Sequence, residues 1–254
     1  MNLNLSGKRV LVTGSSKGIG RFIAEAFLAE GCKVAINGRH PSQLNDALQD
    51  IAHENAIAIA GDVSKPSEAR RILEEFIGAF DHLDILVCNV GSGQSVPPGE
   101  ENLAEWHKVF GQNLWSTTTM VEACRQELAR NLGSIVCISS ICGHEVILGA
   151  PITYSAAKAA LNAYVRGSAR PLGKLGVRIN AISPGNILFN DSIWDRKQKG
   201  SFKAVEEMLR QDVALSKLGT PLAISNLALW LASPAANFTT GSIFVADGGQ
   251  LRAS

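Results

Sequence analysis

A tyrosine and a lysine lie four residues apart in Tyr154-Ser-Ala-Ala-Lys158, inside a stretch with helical patterning. Residues at this spacing share one face of an α-helix, so a phenol and an ammonium can act on the same point. A neighbouring ammonium favours the phenolate and lowers the pKa of a tyrosine, which brings proton transfer closer to neutral pH. The pair alone is weak evidence, because these residues often occur four apart by chance.

Two adjacent serines, Ser139 and Ser140, follow a short apolar run that is typical of a buried β-strand. Ligands collect beyond the carboxyl ends of strands in open parallel sheets, so a serine at this place can hydrogen-bond a substrate. A capping or turn serine is the alternative interpretation. Asn113 is a further candidate, because an asparagine inside a helix is mildly unfavourable and agrees with a special role.

A glycine-rich turn, Gly14-Ser-Ser-Lys-Gly18-Ile-Gly20, joins the first predicted strand (8–13) to a helix that begins near Ile19. Glycine permits a tight turn and lets a pyrophosphate approach the main chain, while the free N–H groups of the helix favour phosphate. The second predicted strand, 33–37, completes a βαβ unit. The sequence therefore predicts the start of a dinucleotide-binding sheet.

Predicted strands and helices alternate along the rest of the chain, which indicates a mostly parallel sheet with helices on both faces. The further strands are expected at 56–60, 84–88, 134–138, 177–182 and 242–246, and the further helices at 41–52, 65–79, 102–111, 113–130, 153–172 and 223–231. The predicted fold class is α/β, a doubly wound Rossmann fold with a seven-stranded sheet in a three-layer α/β/α sandwich. We expect one domain over residues 1–254, with a substrate lid at about 186–216.

Composition argues against several other classes. The chain has 254 residues and a formal net charge of +1, which gives no electrostatic reason to expect nucleic acid or an anionic membrane as a partner. No apolar run is long enough to span a bilayer and the first residues do not resemble a signal peptide, so we expect a cytoplasmic protein. Five scattered cysteines lack metal-ligand spacing, so no metal site is predicted and buried free thiols are expected.

The motif Thr13-Gly14-Ser15-Ser16-Lys17-Gly18-Ile19-Gly20 resembles the cofactor fingerprint of the classical short-chain dehydrogenase/reductase family. The resemblance covers nearly the whole chain and includes members similar to 3-oxoacyl-[acyl-carrier-protein] reductases. Ser140-Ile-Cys-Gly143 matches the family's Ser-x-x-Gly motif, which favours Ser140 over Ser139 as the catalytic serine. The separation of 14 between Ser140 and Tyr154 is one residue longer than the family's usual spacing, and we expect the loop 144–152 to absorb the insertion.

The resemblance implies a role for each of four catalytic residues. Ser140 would hydrogen-bond the substrate oxygen, and Tyr154 would donate a proton to it. Lys158 would tune Tyr154 and hold the nicotinamide ribose, and Asn113 would anchor a water that relays protons to Lys158. The dinucleotide would supply the hydride.

The resemblance also implies the residues that contact the dinucleotide. The family's acidic position after the second strand falls on Gly38, so a carboxylate that would repel a 2′-phosphate is missing. Lys17 and Arg39 are cations near that place, and NADP(H) is therefore expected in preference to NAD(H). The implied cofactor-binding residues are Gly14, Ser16, Lys17, Gly18, Ile19, Gly20, Arg39, Asp62, Val63, Asn89, Gly91, Tyr154, Lys158, Pro184, Gly185 and Ile187.

Two residues depart from the family's pattern. Val90 stands in the loop after the fourth strand, where the family usually has alanine. Phe189 stands where the family often has threonine, so a hydroxyl contact with the cofactor is missing or is supplied by Asn190 or Ser192.

The resemblance implies an NADP(H)-dependent enzyme that interconverts a small carbonyl compound and a secondary alcohol. Reduction of a 3-oxoacyl group on a carrier protein is an alternative, although the positions where such reductases tend to carry arginines are here Asn131 and Leu175. A non-catalytic dinucleotide-binding module is the third possibility, and it predicts loss of Tyr154 or Lys158, both of which are present.

The predicted helices 102–130 and 153–172 carry apolar residues on several sides, including Trp115, Met120 and Leu161. This pattern predicts a protein that associates with copies of itself. Family members are typically dimers or tetramers built on these elements. We therefore expect a homotetramer with two-fold axes, or a homodimer.

Overall fold

The computed structural model describes residues 2–252. The strands of this part of the chain are β1 (Arg9–Val12), β2 (Lys33–Gly38), β3 (Ala56–Ala60), β4 (Ile85–Cys88), β5 (Ser134–Ile138), β6 (Arg178–Pro184) and β7 (Ile243–Ala246). Across residues 2–252 they form a seven-stranded sheet in the order β3-β2-β1-β4-β5-β6-β7, and every neighbouring pair is parallel. The strand order reverses between β1 and β4, which is where a doubly wound sheet opens a crevice for a ligand.

Helices cover both faces of the sheet. They are α1 (Gly18–Ala29), α2 (Pro41–Ile51), α3 (Pro66–Phe80), α4 (Leu103–Phe110), α5 (Ser116–Arg130), α6 (Ile152–Gly173), α7 (Ile193–Gly200), α8 (Phe202–Asp212) and α9 (Pro221–Ala232). Short turns of other helix types lie at Gly111–Trp115, Ile141–Gly143 and Pro234–Ala236. The predicted α/β class with a doubly wound sheet is therefore confirmed.

Two hydrophobic cores lie on opposite faces of the sheet, because successive side chains of a strand point to opposite sides. In β1, Val10 and Val12 belong to the core that includes Phe27 of α1, whereas Leu11 belongs to the core that includes Phe76 of α3. All five of these side chains are fully buried, which is typical of a parallel sheet covered on both sides.

Most element boundaries agree with the predicted ones to within a few residues, and two differences concern the site. The sixth strand continues to Pro184 instead of ending at 182, because β7 runs beside it and pairs Pro184 with Ala246. The two helices predicted at 102–111 and 113–130 are joined by the π-helical turn Gly111–Trp115.

The segment predicted as a lid, about 186–216, contains α7 and α8. Ser192 and Ser201 begin these helices, since each side chain accepts a hydrogen bond from the backbone of the first turn. A small apolar cluster of Val205, Leu209 and Val213 holds α8 in place. The division into one domain with a lid remains a prediction.

Two of the apolar residues that suggested self-association are buried in the hydrophobic core of the chain itself. Met120 and Leu161 are buried in the core beneath α5 and α6, so they do not support the predicted self-association. Trp115 keeps 41% of its surface exposed. No helix within residues 2–252 combines the length and apolar character needed to cross a membrane.

Candidate active site

Tyr154 and Lys158 lie in the first two turns of α6, which begins at Ile152 beside the end of β5. The Lys158 side chain is buried, and its Nζ donates a hydrogen bond of 2.8 Å to the carbonyl oxygen of Ile138. The same nitrogen lies 5.9 Å from the centroid of the Tyr154 ring. Burial lowers the pKa of Lys158 from 10.5 to about 8.

The phenol of Tyr154 is protonated at neutral pH in this structure. Burial raises the pKa of Tyr154 to about 12, and the hydrogen bond with Ser140 opposes that rise only in part. The lowered pKa that the sequence predicted for Tyr154 is therefore wrong. Desolvation is the largest influence on the pKa of Tyr154, and the Lys158 ammonium donates to the carbonyl oxygen of Ile138.

The two adjacent serines point to different neighbours. The hydroxyl of Ser140 lies near enough to the Tyr154 phenol to act on its pKa, and it accepts a bond of 3.2 Å from the Cys142 amide. The hydroxyl of Ser139 is buried and bonds the Asn162 side-chain oxygen at 2.6 Å. The structure therefore brings Ser140, and not Ser139, to the phenol, as the predicted choice of serine requires.

Asn113 lies in the π-helical turn, where its side chain replaces regular helix contacts. Its Nδ2 donates to the carbonyl oxygens of Val109 and Ser92, at 3.0 and 3.1 Å. Its Oδ1 accepts from the Ser92 amide at 3.0 Å. A Cβ on Gly91 would be 2.8 Å from this Oδ1 and 3.1 Å from Nζ of Lys158. Asn113 and Lys158 thus converge on the Gly91 main chain.

The glycine turn forms a close-packed cradle at the start of α1. Gly14 and Gly18 have φ values of +61° and +59°, which favour glycine. A Cβ on Gly20 would collide with the Asn89 side chain and lie 2.6 Å from the Gly14 oxygen. The Asn89 Nδ2 donates to that oxygen at 2.9 Å and so locks the loop after β4 onto the turn.

The start of α1 suits an anion. In the described part of the chain, its N-cap residue Lys17 makes no capping hydrogen bond through its side chain. The first N–H groups of the helix consequently point outward with the positive end of the dipole. These residues fit a dinucleotide pyrophosphate, which favours such a helix start.

Val90 is accommodated by the glycine beside it. Its Cγ2 lies 2.9 Å from the place that a Cβ on Gly14 would occupy, so the branched side chain fills the space that the glycine leaves. The departure from the family's alanine therefore tightens the contact between the loop and the turn. A larger residue at Gly14 would collide with it.

The other end of the crevice lies beyond β2 and β3. Arg39 is exposed there and Gly38 is half-buried, while Lys17 is exposed on the glycine turn. Asp62 accepts hydrogen bonds from the Ser64 amide and hydroxyl, at 3.0 and 2.7 Å. Burial acts to raise the pKa of Asp62, but these bonds and the nearby charge of Arg39 together lower it below its usual value. Asp62 is therefore an anion beside an exposed cation.

The loop after β6 is held by residues that the sequence interpretation did not assign. A Cβ on Gly185 would lie 2.7 Å from Cβ of Asp247, and the Gly185 amide donates to the Ala246 oxygen at 3.0 Å. Ile187 is buried and forms a bridge with Gly219. The signal for Asp247 was the Asp-Gly-Gly turn after the last strand, because its carboxylate accepts from two backbone amides of that turn.

His144 is a further residue at this edge that the sequence left without a role. Its Nε2 lies 3.0 Å from the Ser183 hydroxyl, which joins the segment after Ser140 to the end of β6. Burial and the charge of Arg166 lower the pKa of His144, so the ring is neutral at neutral pH. A single histidine in a loop carries no sequence signal for such a contact.

Comparison with known proteins agrees with this geometry. The model of a protein family described as "Enoyl-(Acyl carrier protein) reductase" matches residues 14–250. Glucose 1-dehydrogenase 2 of Bacillus subtilis (strain 168) is 30% identical over 256 residues, which cover 98% of this chain and 97% of that protein.

Two solved structures share the fold along nearly the whole chain. L-sorbose reductase from Gluconobacter frateurii, complexed with NADPH and L-sorbose, has a TM-score of 0.92 at 27% identity and covers 100% of both chains. A 7α-hydroxysteroid dehydrogenase complexed with NADH and 7-oxo glycochenodeoxycholic acid has a TM-score of 0.88 at 29% identity. That match covers 99% of this chain and 97% of the other.

Proposed function

The chain belongs to the classical short-chain dehydrogenase/reductase family, and we propose that it is an NADP(H)-dependent enzyme that interconverts a ketone and a secondary alcohol. As a member of this family it is an oxidoreductase that acts on CH–OH groups and the corresponding carbonyls. The specific cofactor, the four catalytic residues and the substrate belong to the proposal. The observation that carries it is the placement of Ser140, Tyr154 and Lys158 together beyond β5, where the Lys158 Nζ bonds the Ile138 oxygen and lies 5.9 Å from the centroid of the Tyr154 ring.

The proposed chemistry assigns one task to each side chain. Ser140 and Tyr154 bind the carbonyl oxygen, and the Tyr154 hydroxyl gives its proton to that oxygen as charge develops on it. The Lys158 ammonium stabilises the phenolate that remains, and burial makes that attraction stronger than in water. A bound dinucleotide supplies the hydride.

Asn113 is proposed to hold a water molecule through which protons reach Lys158, and not to bind the substrate. Its Oδ1 and the Lys158 Nζ both face the main chain at Gly91. A water between them would replace the proton that Lys158 passes to the phenolate after turnover. The π-helical turn supports this role, because such turns occur frequently at functional sites.

The preference for NADP(H) is supported by charge. Arg39 is exposed at the end of β2, Lys17 is exposed on the glycine turn, and Gly38 supplies no carboxylate between them in the chain. A 2′-phosphate therefore meets cations without meeting the acidic side chain that would repel it. The related structures hold NADPH in one case and NADH in the other, so the charge argument carries this part of the proposal.

Reduction of a 3-oxoacyl group on a carrier protein is a second candidate, and the description of the matching family also names a carrier-protein substrate. The residues at the positions where carrier-protein reductases tend to carry arginines give this candidate little support. Asn131 donates to the Glu127 and Leu83 carbonyl oxygens, and Leu175 is an exposed apolar residue, so neither offers a cation to an acidic partner. The nearby Arg130 is paired with Glu127 at 2.8 Å. A non-catalytic module is disfavoured because Ser140, Tyr154 and Lys158 are all present and lie close together in the fold.

Oxidation of NADPH measured against a panel of carbonyl compounds tests the proposal. The panel contains small ketones, keto acids, open-chain sugars and a 3-oxoacyl thioester, with NADH as the alternative cofactor. Turnover of a free ketone with NADPH supports the proposed function. Turnover of the thioester alone supports the carrier-linked reaction, and binding of NADPH without turnover of any carbonyl would leave only the binding module.

We also propose that the protein assembles as a homotetramer or homodimer in the cytoplasm. With Met120 and Leu161 buried, the remaining support is the exposed face of Trp115 and the apolar pair of Trp230 and Phe244 beside the last strand. Light scattering at micromolar concentration is expected to give a multiple of the protomer mass. A monomer mass contradicts the proposed assembly.

A further inference from the structure

The aromatic ring of Phe189 lies over the glycine turn. Its Cε2 and Cζ atoms are 3.1 and 3.2 Å from the position that a Cβ on Gly18 would occupy. Gly18 is the first residue of α1, where outward N–H groups and the helix dipole favour an anion. An apolar ring therefore covers the place where the main chain is most exposed to a phosphate.

The ring is held there by the core and by the loop that carries it. Phe189 packs against the hydrophobic core that includes Ile23 and Phe27 of α1. On one side of it, the Leu188 amide donates to the Gly219 oxygen at 2.9 Å. These contacts fix the backbone from which the ring reaches across to the turn.

Phe189 is also joined to the first helix of the lid. Its amide donates to the Ser192 hydroxyl at 3.3 Å, and the Ser192 amide donates to the Phe189 oxygen at 3.0 Å. The same Ser192 hydroxyl accepts from the Asp195 amide and so caps α7. A shift of the Phe189 backbone would therefore reach the start of the lid helix.

We propose that the Phe189 ring, in the position seen here, occupies part of the phosphate site, and that a dinucleotide binds only when the ring is displaced. This inference rests on the proposed function, because it requires that a dinucleotide binds at the glycine turn. A phenyl ring that would crowd a Cβ on Gly18 and a pyrophosphate bonded to the same main chain would compete for space. The ring also offers no donor to the anion.

The proposal predicts how substitution changes affinity. The apparent dissociation constant is the intrinsic one divided by the fraction of molecules in which the site is open. If the ring covers Gly18 in about nine molecules out of ten, Phe189→Ala should bind NADPH and NADH about 10-fold more tightly. Phe189→Thr should tighten binding as well, because it also removes the ring.

Fluorescence titration of NADPH and NADH, without any carbonyl substrate, makes the measurement. Phe202→Ala is the matched control, since Phe202 is an exposed ring at the start of α8 on the same lid. We expect tighter binding in both Phe189 variants and unchanged binding in Phe202→Ala. Thermal melting of each cofactor-free variant checks that it is folded.

Equal or weaker binding by folded Phe189→Ala and Phe189→Thr would overturn the inference, because the ring would then be a neutral or supporting wall. The proposed function survives that result if the wild type still reduces a ketone. Absence of dinucleotide binding in every variant would overturn both. Hydrogen exchange of a peptide spanning 189–196 should change on NADPH binding in the wild type, and an unchanged rate would refute the link to the lid.

Discussion

Replacing Gly38 with aspartate should narrow or reverse the preference for NADPH over NADH. The side chain has room, because a Cβ on Gly38 would lie 3.4 Å from the Ser16 hydroxyl and 3.5 Å from Leu44 Cδ1, which are ordinary contacts. Gly38 also has no positive φ, so an aspartate adds no backbone strain there. The substitution therefore changes charge at the end of β2 while leaving the fold intact.

The size of the effect follows from electrostatics at a partly open site. Two unit charges about 4 Å apart interact by about 1 kcal/mol in water and about 4 kcal/mol at an effective dielectric constant of about 20. Affinity for NADPH should consequently fall by about 5-fold to about 800-fold. We expect a value near the lower limit, because Arg39 beside this position is exposed and the charges are screened. A hydrogen bond from the ribose 2′-hydroxyl should improve NADH binding by about 0.5–1.5 kcal/mol.

Fluorescence titration of both cofactors with wild type, Gly38→Asp and Gly38→Asn provides the assay. Asparagine has nearly the size of aspartate without its charge, so it separates repulsion from crowding. The Asn variant should lose little NADPH affinity, and raised salt should reduce the loss in the Asp variant. A wild type that prefers NADH, or equal NADPH losses in the Asp and Asn variants, would refute the charge argument.

Two further substitutions probe the catalytic side. Ser140→Ala should reduce turnover with little effect on melting temperature. Ser139→Ala should keep turnover but lower the free energy of unfolding by about 1–3 kcal/mol, because it leaves the buried Asn162 oxygen unpaired. The reverse pattern in kinetics and thermal melting would show that the wrong serine was assigned. The rate of ketone reduction should fall as pH rises through about 8, since the lowered pKa of Lys158 means that its ammonium is lost there, while Tyr154 keeps its proton up to about 12. Lys158→Arg, which stays charged, should be slower but lack that fall, and a pH–rate profile with the same inflection in both proteins contradicts the assignment.

Much of the fold could be predicted because its signals are local. The strands at 56–60 and 134–138 were predicted at their observed bounds, since short apolar runs flanked by turn residues leave little choice of register. The glycine turn could be predicted from local sequence as well, because its backbone angles restrict the residue types. The choice of Ser140 drew on a family resemblance and agrees with its observed contact with the phenol.

The remaining features depend on contacts between distant parts of the chain. β6 extends to Pro184 because β7, some sixty residues later, lies beside it. The raised pKa of Tyr154 comes from burial, which spacing along a helix does not reveal. The position of Phe189 over Gly18 joins residues from opposite halves of the sequence, so the missing threonine was visible while the ring's location was not.

A single-turnover measurement on Tyr154→Phe tests the central claim most directly. The substitution removes only a hydroxyl, so folding and NADPH affinity should change little. With any ketone that the wild type accepts, the rate of NADPH oxidation should fall by about 10²–10⁴, the usual contribution of a general acid. Near-full turnover in a variant that still binds NADPH would contradict Tyr154 as the proton donor.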